Sequence, residues 1–311
     1  MIEVQDLTKK YGELTAVRNL SFRVEKGKIW GLLGPNAAGK TTTMRILTGY
    51  LPATSGRASV AGFDVFEQPN EIKKAIGYLP EIVPLYPEMT VEGYLRFVAE
   101  IKQVSAAKRK AAVAKVLESA ALETVRGRLI KNISRGYKQR VGVAQAMIHD
   151  PQVLILDEPT IGLDPAQIRE IRELIRRLRG EHTILLSTHI LAEVTQVCDG
   201  AVIINEGRLM ASGSLEELTA SIQAKDARDG VVVKLRRGGD EALALFRGLA
   251  GVETAAAEAD GIRLEWGRGR ELREDVAKLA VARDLGLLEM RPLAMNIEDL
   301  YMKIVSGGSE Q

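Results

Sequence analysis

A five-residue apolar run, Ile29-Trp30-Gly31-Leu32-Leu33, leads directly into Gly34-Pro35-Asn36-Ala37-Ala38-Gly39-Lys40-Thr41, and a helical pattern continues to Leu47. The octapeptide matches G-x-x-x-x-G-K-[ST] in the strand, loop and helix setting that the pattern requires. No other segment restricts the fold as severely. Such a loop wraps successive backbone N–H groups around an anion, and the following helix adds its dipole. Lys40 is placed to bridge the two outer phosphates of a nucleoside triphosphate, and the Thr41 hydroxyl to ligate Mg²⁺.

The rest of the first ~215 residues fits one architecture around that loop. With Ile29–Leu33, the runs Val153–Leu156, Thr183–Ser187 and Ala201–Asn205 read as buried strands, apolar with polar ends, and the helical stretches Lys40–Leu47, Tyr137–His149 and Ala166–Leu178 lie between them. Continuous rather than alternating apolar strands belong to a mostly parallel sheet covered on both faces. Ile2–Leu7 and Asn19–Val24, on either side of Tyr11-Gly12, read as an antiparallel edge sheet. Thr90–Ile101 and Ala106–Ala121 read as a helical insertion spanning about 82–140.

Composition shifts after Ser212-Gly213-Ser214, and a domain boundary is expected at 219/220. Helix Leu215–Ile222 and a charged linker, Lys225–Gly230, precede a new series of elements. These are strand Val231–Leu235, helix Glu241–Leu249, strands Val252–Ala257 and Gly261–Trp266, helix Glu271–Leu285, strand Leu287–Pro292 and helix Asn296–Val305. The order β-α-β-β-α-β predicts a small ferredoxin-like α+β module over 220–311.

A second chemical signal closes the strand Val153–Leu156, where Asp157 and Glu158 emerge. In a parallel sheet that end faces the ligand. Asp157 is expected to hold Mg²⁺, and Glu158 to polarise an attacking water.

Charge and composition exclude several alternatives. Lys and Arg number 43 against 41 Asp and Glu, a formal net charge of +2, which lacks the basic bias of a nucleic-acid binder. The only cysteine, Cys198, excludes an intrachain disulfide framework and reads as a packing residue. Three histidines with one cysteine leave no ligand set for structural zinc; His149 and His182 are expected at the surface. No apolar run reaches the ~18–20 residues that span a bilayer, and Met1–Asp6 is not a signal peptide. The expectation is a cytoplasmic chain without direct membrane insertion.

Six segments now stand in one order: Tyr11; Gly34–Thr41; Ile133-Ser134-Arg135-Gly136-Tyr137 with Lys138-Gln139-Arg140; Leu156-Asp157-Glu158-Pro159-Thr160; Gly162-Leu163-Asp164-Pro165; and Ser187-Thr188-His189. Over residues 1 to about 215 the chain resembles the ATP-binding subunits of ABC transporters. That resemblance implies a P-loop α/β ATPase core (residues 1–219) with ATP and Mg²⁺ as cofactors. It implies that Tyr11, with Val17 nearby, stacks on adenine. Gly34, Pro35, Asn36, Ala37, Ala38, Gly39, Lys40, Thr41 and Thr42 would contact phosphates, and Thr41, Asp157 and Glu81 would hold the metal. Glu158, His189 and Lys40 would be catalytic, with His189 on the γ-phosphate. Ser134, Gly136 and Tyr137 would form an anion site for the nucleotide of a second subunit, with Asp164 in the loop that crosses the dimer seam.

Three positions depart from the commoner pattern. Ala37 replaces a frequent Gly, and its φ is expected to be negative. Glu81, in Gly77-Tyr78-Leu79-Pro80-Glu81, stands where many members carry Gln, and Arg135 and Tyr137 replace Gly and Gln. These choices resemble the gliding-motility-type and related export ATPases, whose partners are separate integral-membrane permeases. The implied function is ATP-driven export through a homo- or heterodimer on the inner face of the membrane. Val83, Leu85 and Tyr86 are then expected to line the groove that takes a permease helix. The alternative is a soluble ABC-type ATPase of translation or DNA repair. Against it stand one cassette instead of two and no sustained heptads.

Overall fold

The computed structural model describes residues 1–225, 228–258, 261–267, 269–292 and 301, with backbone alone at 221–225 and 228. The chain divides into two compact units, Met1–Glu216 with Tyr301–Gln311, and Glu217–Leu300.

The first unit opens with β1 (Ile2–Tyr11) and β2 (Leu14–Val24), then β3 (Ile29–Leu33), α1 (Lys40–Leu47), β4 (Ser55–Val60), β5 (Phe63–Asp64), α2 (Pro69–Ala75) and β6 (Ile76–Leu79). The helices α3 (Val91–Ile101) and α4 (Ala106–Ser119) follow, then α5 (Arg135–Met147), β7 (Val153–Leu156), α6 (Pro165–Arg177), β8 (Thr183–Thr188), α7 (Leu191–Val197), β9 (Gly200–Asn205) and β10 (Arg208–Ser214); the unit boundary at 216/217 falls within the next helix, α8 (Leu215–Lys225).

Two sheets result. One has the order β2-β1-β4-β5 and is antiparallel. The other has the order β10-β9-β3-β8-β7-β6, parallel throughout except for β10. Every residue of β3, β7 and β8 is buried, which explains why these strands read as unbroken apolar runs. Their C-terminal ends lie side by side, with Leu33 opposite Thr188 and Leu156 opposite Leu186. That alignment brings the segments after β3, β7 and β8 to one edge.

Capping decides where several helices begin. Thr90 Oγ1 accepts from Gly93 N at 3.1 Å ahead of α3. Ser134 heads α5 and Asp164 heads α6, where Pro165 fills the first position. The helix expected from Tyr137 therefore starts two residues earlier, at Arg135. On α6, Ile171, Leu174 and Ile175 form the buried stripe, and arginines and glutamates occupy the outer face.

The second unit contains β11 (Arg228–Leu235), α9 (Gly239–Arg247), β12 (Val252–Glu258), β13 (Gly261–Gly267), α10 (Arg273–Ala282) and β14 (Leu287–Pro292). Its sheet has the order β12-β13-β11-β14 with every pairing antiparallel. The core beneath it is built on Trp266, Phe246, Leu264, Val231 and Val276. The last three residues of the expected linker, Arg228–Gly230, belong to β11 because they pair with Glu265–Gly267. The expected helix Asn296–Val305 lies outside the described residues except for Tyr301.

Two histidines expected at the surface are not there. His182 is buried, its Nδ1 2.7 Å from the Pro151 carbonyl. His149 is half-buried, with Nε2 3.1 Å from the Ile76 carbonyl. Each anchors a turn before a strand, which apolar periodicity does not reveal. Cys198 is buried against the backbone of Gly31, and burial pushes its thiol pKa up, as befits a packing residue.

Candidate functional site

The phosphate loop spans the gap between β3 and α1. Gly39 has φ 99°, and a Cβ there would lie 2.5 Å from the Ala16 carbonyl, so only glycine fits. Among the described residues no side chain caps α1, which leaves its first N–H groups suited to an anion. Ala37 has φ 65°, which corrects the negative value expected for an L-residue. The loop's curl imposes the left-handed conformation, and alanine there carries strain of about 1 kcal/mol.

Lys40 is buried, and its Nζ donates to the carbonyls of Gly34 (2.8 Å) and Pro35 (3.1 Å). The same ammonium stands 3.3 Å from Glu158 Oε1. Glu158 Oε2 lies 3.0 Å from His189 Nδ1. Glu158 itself is held at φ 47°, a left-handed conformation that a non-glycine residue keeps only where its surroundings enforce it. Enforcement comes from Ser187, whose Oγ accepts from Glu158 N at 2.8 Å and donates to Asp157 Oδ1 at 2.6 Å.

Asp157 offers a fitting place for a hard cation. The Thr41 hydroxyl is 3.4 Å from Oδ1. Among the described residues Oδ2 is buried without a hydrogen-bond partner, which is costly unless a cation compensates it. Burial pushes the Asp157 pKa up, against the opposing hydrogen bonds from Ser187 and Thr41. Glu81 is exposed at the same mouth.

A cleft of about 680 Å³ joins these groups, lined by Tyr11, Leu14, Ala16, Asn36–Thr42, Glu81, Glu158, Ile161 and His189. That size suits a nucleotide. Tyr11 is half exposed at its rim, with the Lys9 ammonium 5.2 Å from the ring centroid. Val17 does not line the cleft. It is 1% exposed and packs within the core, because strand alternation turns it away from the face that carries Ala16.

Ser134, Gly136, Tyr137 and Asp164 are not brought to this cleft. Ser134 is exposed, and its Oγ accepts from Tyr137 N at 3.4 Å. Gly136 is packed on Gln167 so tightly that a Cβ would come within 2.7 Å of that side chain. Asp164 Oδ1 accepts from Ala166 N (3.0 Å) and Gln167 N (2.9 Å), the work of a helix cap. The sequence reading missed Ser187, Thr188, Thr160 and Glu193, which stitch β7 to β8. Thr160, Ser187 and Thr188 stand within matched segments without a role of their own there, and Glu193, inside α7, has no local signal. It also missed Tyr301, whose hydroxyl donates to the His189 carbonyl at 3.4 Å and whose pKa is raised by burial and by Glu158.

A glycine-bounded loop with its buried lysine, facing two carboxylates at the end of a parallel strand, defines a P-loop nucleoside triphosphatase. The family pattern described as "ABC transporter" matches residues 17–161. A second, described as "AAA domain, putative AbiEii toxin, Type IV TA system", matches 128–195. Bacitracin transport ATP-binding protein BcrA of Bacillus licheniformis is 36% identical over 312 residues, covering 99% of this chain and 98% of that one. Linearmycin resistance ATP-binding protein LnrL of Bacillus subtilis (strain 168) is 30% identical over 308 residues, covering 98% of each. A solved structure of an ATP-binding subunit of an ABC transporter aligns with TM-score 0.65 and 32% identity, covering 73% of this chain and 95% of that one. The chain belongs to the family of ABC transporter ATP-binding subunits, and its core has the α/β P-loop fold of the ABC ATPases. It is an ATPase of that family, with curated relatives among export ATPases.

Proposed function

We propose that this subunit hydrolyses Mg·ATP between two ATP-binding subunits and so drives a separate membrane permease in export. One observation carries the proposal. Lys40, Thr41, Glu158 and His189 line one cleft, with the Asp157 carboxylate 3.4 Å from the Thr41 hydroxyl, whereas the exposed Ser134 head of α5 lies outside it. On this reading the head of α5 takes a nucleotide held by another subunit. Ser134, Gly136 and Tyr137 would face that partner's γ-phosphate, with Asp164 at the seam.

Within one subunit, Tyr11 stacks on the base, and the N–H groups of the loop with Lys40, Thr41 and Thr42 hold the phosphates. Thr41, Asp157 and Glu81 hold Mg²⁺, which neutralises charge on the phosphate oxygens when bound. Glu158 accepts the proton of the attacking water, and His189 orients Glu158 and contacts the γ-phosphate. Two of the full-length relatives are named for bacitracin transport and linearmycin resistance; an antibiotic is accordingly the proposed class of cargo.

The permease contact is proposed at a groove of about 530 Å³ whose lining includes Tyr50, Tyr78, Pro80, Pro84 and Val98. Tyr50, Ile82 and Tyr86 are exposed, while Val83 and Leu85 are half-buried. No helix among the described residues is long and apolar enough to cross a membrane. Light scattering of the Glu158→Gln protein with ATP and Mg²⁺ tests the proposal. An ATP-dependent dimer with abolished turnover supports it; a monomer at saturating ATP, or normal turnover, overturns it.

A further inference from the structure

Glu193, in α7, is 2% exposed. A carboxylate this deep requires partners, and they arrive from three separate segments. Thr160, two residues after Glu158, donates its hydroxyl to Oε1. Thr188, immediately before His189, donates its hydroxyl to Oε2 at 2.6 Å. Arg172 of α6 stands 3.6 Å from Oε1 and also donates to Gln196 Oε1 at 2.6 Å. Both threonines are themselves buried. The Thr188 hydroxyl further accepts from Ile190 N at 3.0 Å, so it grips the chain on both sides of His189.

These contacts close a ring. Glu158 and His189 meet directly on one side; on the other, Thr160, Glu193 and Thr188 join the same two segments through a single carboxylate. The Thr160 carbonyl also accepts from Leu163 N at 3.3 Å, which continues the ring into the loop ahead of Asp164.

We infer that Glu193 is a positioning residue for hydrolysis: it fixes the orientation of Glu158 relative to His189 without itself touching nucleotide. The inference rests on the roles proposed above for Glu158 and His189. Its two oxygens, held rigidly apart, set the spacing between the Thr160 and Thr188 hydroxyls, and through them the spacing of the two segments. A side chain without that pair of acceptors leaves both segments intact but free to shift, which misplaces the base.

The test is steady-state ATP hydrolysis by Glu193→Ala, Glu193→Gln, Thr160→Val, Thr188→Val and Glu158→Gln in the full chain. Glu193→Ala is expected to lower kcat at least about tenfold with KM for ATP within about threefold, and Glu193→Gln, which keeps one of the two acceptors, to retain a kcat between that of Glu193→Ala and the parent. The isosteric threonine variants should each lower kcat and be non-additive with Glu193→Ala; they carry the test alone if the alanine variant does not fold. A parental kcat per folded molecule in Glu193→Ala, whatever its melting temperature, would overturn the inference, as would additive losses. Normal turnover in Glu158→Gln would instead overturn the reading of the base, and the two failures are thereby told apart.

Discussion

The ammonium of Lys40 and the carboxylate of Glu158 stand 3.3 Å apart, and both are buried. On the roles proposed above, two groups with opposite tasks, one for phosphate and one for water, neutralise each other. A phosphate oxygen that draws Lys40 toward itself would then loosen its hold on Glu158, so that binding and activation of the proposed base would be coupled through a single contact.

Substituting the base separates those tasks. Glu158→Gln is expected to cut kcat about 100- to 1,000-fold while leaving ATP binding intact or tighter, since Lys40 no longer has a carboxylate to leave. Phosphate release and titration with a fluorescent nucleotide measure the two effects independently.

Removing the ammonium acts on both. Lys40→Ala should weaken nucleotide binding about 10- to 100-fold, because the Gly34 and Pro35 carbonyls and Glu158 all lose their shared donor. Equilibrium binding at constant ionic strength is the check.

The loop's backbone gives a pair of opposite expectations. Ala37→Gly relieves a φ of 65° and should stabilise the protein by about 0.5–1 kcal/mol. Gly39→Ala places a Cβ against the Ala16 carbonyl and should cost about 1–3 kcal/mol. Urea denaturation of both variants would show the signs.

His149 makes stability depend on pH. Burial and the nearby Lys102 lower its pKa from 6.5 to about 4. Between those values the unfolded chain binds a proton that the folded chain refuses, so stability is full above 6.5 and falls as pH drops toward 4. A loss of about 1–2 kcal/mol is expected, discounted because the ring is only partly buried. His149→Asn should flatten that slope in denaturation curves at pH 7 and pH 5.

How legible all this was depended on spacing along the chain. Gly34–Thr41 is contiguous and obligatory, so the phosphate loop could be read residue by residue. Asp157 and Glu158 stood out because four apolar residues precede them. Val17 misled because it was carried over from the family resemblance, whereas strand alternation buries it and leaves its neighbour Ala16 to line the cleft. Ala37 misled because loop closure, not residue preference, set its φ. Thr160, Thr188 and Glu193 are ordinary polar residues until the parallel pairing of β7 with β8 brings them together. A chemistry assembled from distant segments leaves no local pattern.

Tyr301 follows the whole of the second compact unit in sequence yet belongs to the first unit and hydrogen-bonds the backbone of His189. In sequence the second unit is thus a parenthesis within the first, opened after Glu216 and closed before Tyr301. A stop codon placed before that parenthesis also deletes a restraint on the histidine loop. A shortened cassette therefore changes two things at once, and an excision that rejoins Tyr301 to the first unit is what isolates the contribution of the second unit.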